Sequence, residues 1–181
     1  MGIAFSDPKK IIEQCGIEPG MVIADFGAGA GYFSVEAAEK VGKDGTVYVI
    51  DIQQELMTKV THLAKSHHLD SLMYIHGDLE AEQGSTLPDD CVDMVIISNL
   101  LFQLDNKEAV LVEANRILRP RGRLLLVDWR ESYNSMGPQP EHVVSEDTAR
   151  ALVAGVGFIK PKNIDAGAYH YGIVFQKHGT N

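Results

Sequence analysis

Apolar and polar positions along the chain alternate between two periods. Val22 to Phe26 is a short apolar run, and Met21 to Phe26 is expected as the first strand. Thr46 to Asp51 is β-branched and aromatic and predicts a second strand; Leu72 to His76 predicts a third. Val92 to Ser98 is apolar almost throughout, as in a strand covered on both faces, and Arg123 to Asp128 follows as a fifth. Between these runs the period becomes helical. Phe33, Ala37, Ala38 and Val41 share one side of a segment from Gly31 to Val41. Leu56, Met57, Val60, Leu63 and Ala64 recur at helical spacing in the next, and Asn106 to Leu118 forms a third, closed by Arg119-Pro120-Arg121-Gly122.

A short helix from Asp7 to Gln14 precedes all of this, with Ser6 or Asp7 as its N-cap and Pro8 in its first turn. Polar residues from Glu80 to Asp90 form a loop, and Asn99 to Leu104 a turn or short helix. After the loop Trp129 to His142, Ser145 caps a helix reaching about Val156. Strands around Phe158 to Asp165 and Tyr169 to Gln176, joined by Ala166-Gly167-Ala168, read as a hairpin. Strands alternating with helix-length returns imply an α/β fold with a parallel sheet wound on both faces and closed by an antiparallel pair. One domain over residues 1–181 is expected, without repeats or low-complexity tracts.

Composition narrows the classes. A formal charge of −9 argues against a nucleic-acid partner, which needs clustered Lys and Arg. The one basic group, Arg116, Arg119, Arg121 and Arg123, surrounds a helix-to-strand turn and reads as structural. No apolar run reaches the roughly 20 residues of a membrane span. The N-terminus lacks a signal-peptide pattern, and Gly2 lacks the basic residues that accompany a myristoyl anchor, so a cytoplasmic location is expected. Cys15 and Cys91 are isolated and the seven histidines form no ligand pair, so no metal is expected.

The chemistry concentrates where the first strand breaks into Gly27, Gly29 and Gly31. Strand, glycine turn, helix opens a nucleotide-binding unit, and Asp25, Asp51, Asp78 and Asp128 all fall at strand ends along that edge. Each acid alone could be an ordinary turn residue; four around one crevice point to a ligand. Asp51 lies a little over 20 residues past the loop, where an acid reaches ribose hydroxyls. A nicotinamide dinucleotide would need a small residue at position 32, and the chain has Tyr32 there, obstructing the helix–strand contact. No Tyr-x-x-x-Lys pair supports an oxidoreductase either.

Asp25-Phe26-Gly27-Ala28-Gly29-Ala30-Gly31, Val49-Ile50-Asp51, Gly77-Asp78-Leu79, the run Leu87 to Asp93 and Leu118 to Leu124 together resemble the ordered motifs of class I S-adenosylmethionine-dependent methyltransferases. The similarity covers roughly residues 1–176 and is greatest to the small-molecule branch containing the ubiquinone/menaquinone biosynthesis C-methyltransferases. It implies a Rossmann-like sheet of seven strands in the order 3-2-1-4-5-7-6. It also implies S-adenosyl-L-methionine as cofactor and S-adenosyl-L-homocysteine as product. By the same resemblance Gly27, Gly29 and Gly31 would admit the methionine and ribose, with Asp25 facing the ammonium. Asp51 would take the ribose hydroxyls, Asp78 and the Leu79 amide the adenine, with Ile52 on its face. Asn99 and Leu100 would lie near the methyl group.

Methyl transfer from a sulfonium needs a base only where the acceptor loses a proton. Asp128 and His142 are the catalytic candidates, with Glu131 and His170 behind them; each has a plain packing or capping alternative. Ser98-Asn99-Leu100-Leu101 replaces the Asn/Asp-Pro-Pro-Tyr/Phe of base and glutamine N-methyltransferases, and two separated cysteines argue against an arsenite acceptor. The expected reaction is methylation of carbon or oxygen on a small molecule, aromatic or quinone-like. A non-catalytic cofactor-binding scaffold and, more remotely, an NAD-dependent oxidoreductase are the alternatives. With so little covering structure, the substrate face is open, closed by the N-terminal segment, or completed by a second subunit in a homodimer.

Overall fold

The computed structural model describes residues 6–133 and 136–179; Gly2 and the middle of the loop after the fifth strand lie outside them. The element order is α1 Pro8–Glu13, β1 Val22–Phe26, α2 Tyr32–Val41, β2 Thr46–Asp51, α3 Gln54–Ser66, β3 Leu72–His76 and β4 Val92–Ser98. Then follow a 3-10 turn Leu101–Gln103, α4 Lys107–Ile117, β5 Leu118–Trp129, a second 3-10 turn Pro140–His142, α5 Glu146–Gly155, β6 Phe158–Ile164 and β7 His170–Lys177. One sheet takes all seven strands in the order β3-β2-β1-β4-β5-β7-β6. Five are parallel; β7 runs antiparallel to both β5 and β6. The fold class and strand order expected from the sequence are those of the structure.

Alternation along the strands divides the core. Ala24, Phe26, Val95, Ile97, Leu124 and Leu126 point to the face covered by α4 and α5, whose Val110, Leu111, Ala149 and Val153 complete one apolar cluster. Ile23, Val47, Met94, Ile96 and Leu125 point the other way, onto α1 and α2. Helix ends are capped by the residues that chemistry favours: Asp7, Asn106 and Ser145 each accept an amide of the first turn. Helix α3, with the clearest helical period, buries only Val60 and Ala64 fully, because it lies over the edge strand β3 and its neighbour β2 rather than the sheet centre.

The basic group is absorbed internally. Arg116 joins Glu113, Asp89 and the Leu87 carbonyl, while Glu113 accepts from both the amide and the hydroxyl of Ser85. This network ties the polar loop after β3 to α4. Arg119 pairs with Asp93, and Arg123 donates to the carbonyls of Cys15 and Gly16. β5 begins earlier than the apolar run suggests: Leu118 already pairs with Val92. The register then shifts before Met94, and Arg121 adopts φ +67°. No helix among the described residues is long and apolar enough to cross a membrane.

Candidate functional site

The carboxyl ends of β1, β2 and β4 open onto two adjoining clefts. The larger, about 620 Å³, is bordered by Asp25, Gly27, Gly29, Tyr32, Phe33, Ser98 and Asn99, with the start of α1 opposite. The smaller, about 210 Å³, is bordered by Asp51, Ile52, Gly77, Asp78, Leu79 and Leu100 and shares Gly27 and Gly29 with the first. Of the ten residues expected to meet the cofactor, nine line one or both clefts. Gly31 is the exception and belongs to the scaffold. It caps α2 at φ +81°, and a Cβ there would come within 2.6 Å of Val60 Cγ1.

The glycines thus serve different ends. A Cβ on Gly27 would strike Leu100 at 2.6 Å, so its lack of a side chain lets the loops after β1 and β4 meet. Gly29, at φ +55°, has only the Gly27 carbonyl near the Cβ position, 4.0 Å away, and faces open space. Gly31→Ala is expected to cost about 1–2 kcal/mol of stability. Gly29→Ala should cost less and instead weaken ligand binding; urea denaturation beside calorimetric titration separates the two. Tyr32 is 63% exposed and borders the larger cleft. It does not enter a helix–strand contact, so obstruction there is not what distinguishes this loop from a dinucleotide fingerprint.

Asp51 holds the loop and remains available to a ligand. Its Oδ2 accepts from the Gly29 amide at 2.9 Å and its Oδ1 from the Gln53 amide at 2.8 Å. Asp78 is exposed and accepts from the Glu80 amide. Ile52 is 58% exposed at the cleft, and His76 meets its carbonyl at 2.9 Å. Asp25 is 1% exposed and accepts a 2.5 Å hydrogen bond from Ser34 Oγ. Burial pushes its carboxyl up from 3.8 to about 7, opposed by the Ser34 bond and assisted by the charge of Asp51. A buried acid of that kind is prepared for a cation.

Residues 17–172 match the family model for a methyltransferase domain. The chain belongs to that family. It is of the class I, S-adenosylmethionine-dependent kind and resembles the ubiquinone/menaquinone C-methyltransferases. The enzyme of that name from Hydrogenovibrio crunogenus is 35% identical over 67% of this chain and 47% of its own length. An arsenite methyltransferase from Halobacterium salinarum is 26% identical over 88% of this chain and 38% of its own length. The chain therefore spans about half the length of these curated relatives, or less. The solved structure of a SAM-dependent methyltransferase from Aquifex aeolicus superposes with a TM-score of 0.85 at 26% identity, covering 95% of this chain and 90% of that one.

In this methyltransferase domain the two catalytic candidates are placed differently. Asp128 is 1% exposed and borders neither cleft. Its Oδ1 accepts from the Trp129 amide, and burial raises it to about 6 against the pull of the Trp129, Leu101 and Phe102 amides. Its Oδ2 is buried without a hydrogen-bond partner. His142 is exposed at a third cleft, with Phe102, Gln103, Leu104, Asp105, Pro138 and Gln139. Glu131 is exposed.

His170 is 1% exposed, its ring 4.3 Å from that of Trp129, and both ring nitrogens lack hydrogen-bond partners. Burial, helped by the charge of Arg130, lowers it to about 4, so it is neutral at pH 7. Because the folded value lies below the ordinary 6.5, the folded state binds fewer protons between pH 4 and 6.5. The stability this provides is complete above pH 6.5 and is lost as pH falls toward 4. His170→Phe keeps a ring on Trp129 and should reduce the acid-side loss between pH 7 and 4 by about 2 kcal/mol, read from urea midpoints.

Two site residues escaped the sequence reading. Ser34, which holds Asp25, was visible only as a polar interruption in a buried stretch of α2. Gln103, in the 3-10 turn, borders both clefts and donates to the Asn99 carbonyl at 2.6 Å; nothing in its sequence context marks it. Asn99 itself sits at φ +53°, a strained value for a non-glycine residue and common at functional sites. Among the described residues no cluster of three or more His, Cys, Asp or Glu could hold a metal.

Proposed function

We propose that this domain binds S-adenosyl-L-methionine across the two clefts and transfers its methyl group to carbon or oxygen of a small, neutral, aromatic or quinone-like acceptor. The observation that carries this reading is the pairing of acids with cleft halves. Buried Asp25 faces the larger cleft and complements the ammonium of the methionine end. Asp51 and Asp78 border the smaller, where Asp51 would accept the ribose hydroxyls and Asp78 with the Leu79 amide would read adenine. Carboxylates on every side suit a cation and oppose a pyrophosphate, which disfavours NAD.

The residues supply binding and approach; the cofactor supplies the activated methyl group. Holding acceptor and methyl carbon in line is worth up to about 7–11 kcal/mol of the barrier. Should the acceptor need to lose a proton, exposed His142 is better placed than buried Asp128 to take it.

The thiols speak against an arsenite acceptor here. Cys15 is buried, bonded to the Ile11 carbonyl and pushed up to about 12 by burial. Cys91 precedes β4, and both therefore lie toward the sheet edge opposite the glycine loop.

Calorimetric titration with S-adenosylmethionine and with NADH tests the cofactor: the first should bind and the second should not. Methyl transfer to phenols, hydroquinones and lipids follows, with S-adenosylhomocysteine release as the readout. Binding without transfer to any of them would favour the scaffold reading, for which the burial of Asp128 away from both clefts is the specific observation.

A further inference from the structure

We infer that the edge of the sheet opposite the cofactor clefts carries a second ligand site, which takes the phosphate monoester of a small sugar-like molecule on Arg119, Arg121 and Arg123. A cleft of about 480 Å³ opens there between the loop from α1 to β1 and the starts of β4 and β5. None of the residues bordering it borders either cofactor cleft, so the site stands apart from the methyl-transfer reading. Its volume lies within the range of about 300–1,000 Å³ usual for small-molecule sites. In a chain of formal charge −9 it gathers three guanidiniums against the carboxylates of Glu18 and Asp93.

The fold prepares two of the three arginines. Asp93 is already satisfied, since its Oδ1 accepts from Arg119 Nη1 and its Oδ2 from the Val22 amide at 2.8 Å. The pairing orients the Arg119 guanidinium and leaves its Nε and Nη2 donors for a ligand. Arg123 gives Nη1 to the Cys15 carbonyl at 2.6 Å and Nη2 to the Gly16 carbonyl at 2.8 Å, with Nε and the second Nη1 hydrogen uncommitted. Gly16, at φ +64°, makes the room for it: a Cβ there would come within 2.8 Å of Arg123 Nη1.

Arg121 is the exception in the basic group and decides the reading. It is exposed, and among the described residues its guanidinium has no hydrogen-bond or ion-pair partner. The fold uses its main-chain carbonyl, which accepts from Gln176 Nε2. Its backbone stands at φ +67°, a left-handed conformation that glycine adopts freely and arginine at a cost. A strained residue with an unpaired charge gives the unliganded domain nothing that glycine would not; a ligand for the guanidinium accounts for both features.

Guanidinium forks pair with carboxylate and phosphate alike. Three of them around one space suit the three terminal oxygens of a phosphate better than the two of a planar carboxylate. The remaining volume, with exposed Glu18 as an acceptor for hydroxyls, fits a sugar. The negative charge of the rest of the chain opposes a nucleic-acid backbone, which needs basic residues over many phosphates.

The test is an amide-resolved NMR titration of the wild-type protein with ribose 5-phosphate to about 10 mM, in about 50 mM salt. Saturable shifts should centre on Gly16, Gly20, Asp93, Arg121 and Gly122, with a dissociation constant below about 1 mM, and ribose alone should leave them unmoved. Arg121→Gly should weaken binding at least about tenfold while melting within about 3 °C of the parent. Arg121→Lys, which keeps the charge without the fork, should fall between the two. Absence of saturable shifts, shifts centred on Gly27, Gly29 or Asp51, an equal response to ribose, tighter binding of citrate, or an Arg121→Gly variant that binds as well as the parent would each overturn the inference.

Discussion

Asp51→Ala is expected to lower the affinity for S-adenosylhomocysteine about 100-fold, equivalent to about 3 kcal/mol. Each carboxylate oxygen already accepts one backbone amide, from Gly29 and from Gln53, and has a further lone pair for a ribose hydroxyl. Hydrogen bonds to a charged acceptor are worth roughly 1.5–3 kcal/mol each, so losing two accounts for the figure. Asp51→Asn retains one acceptor oxygen and should lose only about tenfold. Removing the carboxylate also frees the Gly29 amide, so the melting temperature of Asp51→Ala should fall by a few degrees. Calorimetric titration of both variants checks the series. Affinity within about threefold of the parent in Asp51→Ala would remove Asp51 from the ribose role.

Asp25→Asn should have two effects of opposite sign. The folded carboxyl, at about 7, lies above its ordinary 3.8, so the folded state binds more protons between those pH values. The unliganded domain therefore loses stability as pH rises from about 4 through 7, by at most about 4 kcal/mol. Asparagine carries no charge and still accepts from Ser34. The unliganded variant should be more stable than the parent by about 2–4 kcal/mol at pH 8, with the gain vanishing below pH 4. Binding moves the other way: without a carboxylate beside the ammonium, affinity for S-adenosylmethionine should fall at least about tenfold. Urea denaturation at several pH values and titration at pH 8 measure both. A variant no more stable than its parent at pH 8 would mean that Asp25 is not held at a cost in the unliganded protein.

Much of this architecture was legible before any coordinates. β2 and β4 occupy the residues their apolar runs indicate, because a strand buried in a parallel sheet has no polar face to obscure its limits; β3 does so too, although it lies half exposed at the sheet edge. The caps Asp7, Asn106 and Ser145 were legible because short polar side chains answer a local need for amide partners. β5 was less so: Arg119 to Gly122 reads as a turn, yet in the structure it continues the sheet through a register shift. The acids and glycines of the site stood out by their place at strand ends. Ser34 and Gln103 did not, since each acts by reaching a residue that folding brings alongside it.

The sequence by itself determined the family, the winding of the sheet and the edge on which the glycine loop and the strand-end acids gather, since these follow from periodicity, turn chemistry and motif order. Only the tertiary structure decided which glycine faces the cleft and which packs the helix, because Gly29 and Gly31 differ in what lies across from them and not in local sequence. It also decided that Asp25 and Asp128 are buried, that His142 is exposed beside a third cleft, and that Gln103 joins the three. Burial and adjacency are properties of packed neighbours distant in the chain, and they separate carboxylates that look alike in one dimension: Asp25 and Asp128 are buried, Asp51 is bonded to the glycine loop and Asp78 is exposed.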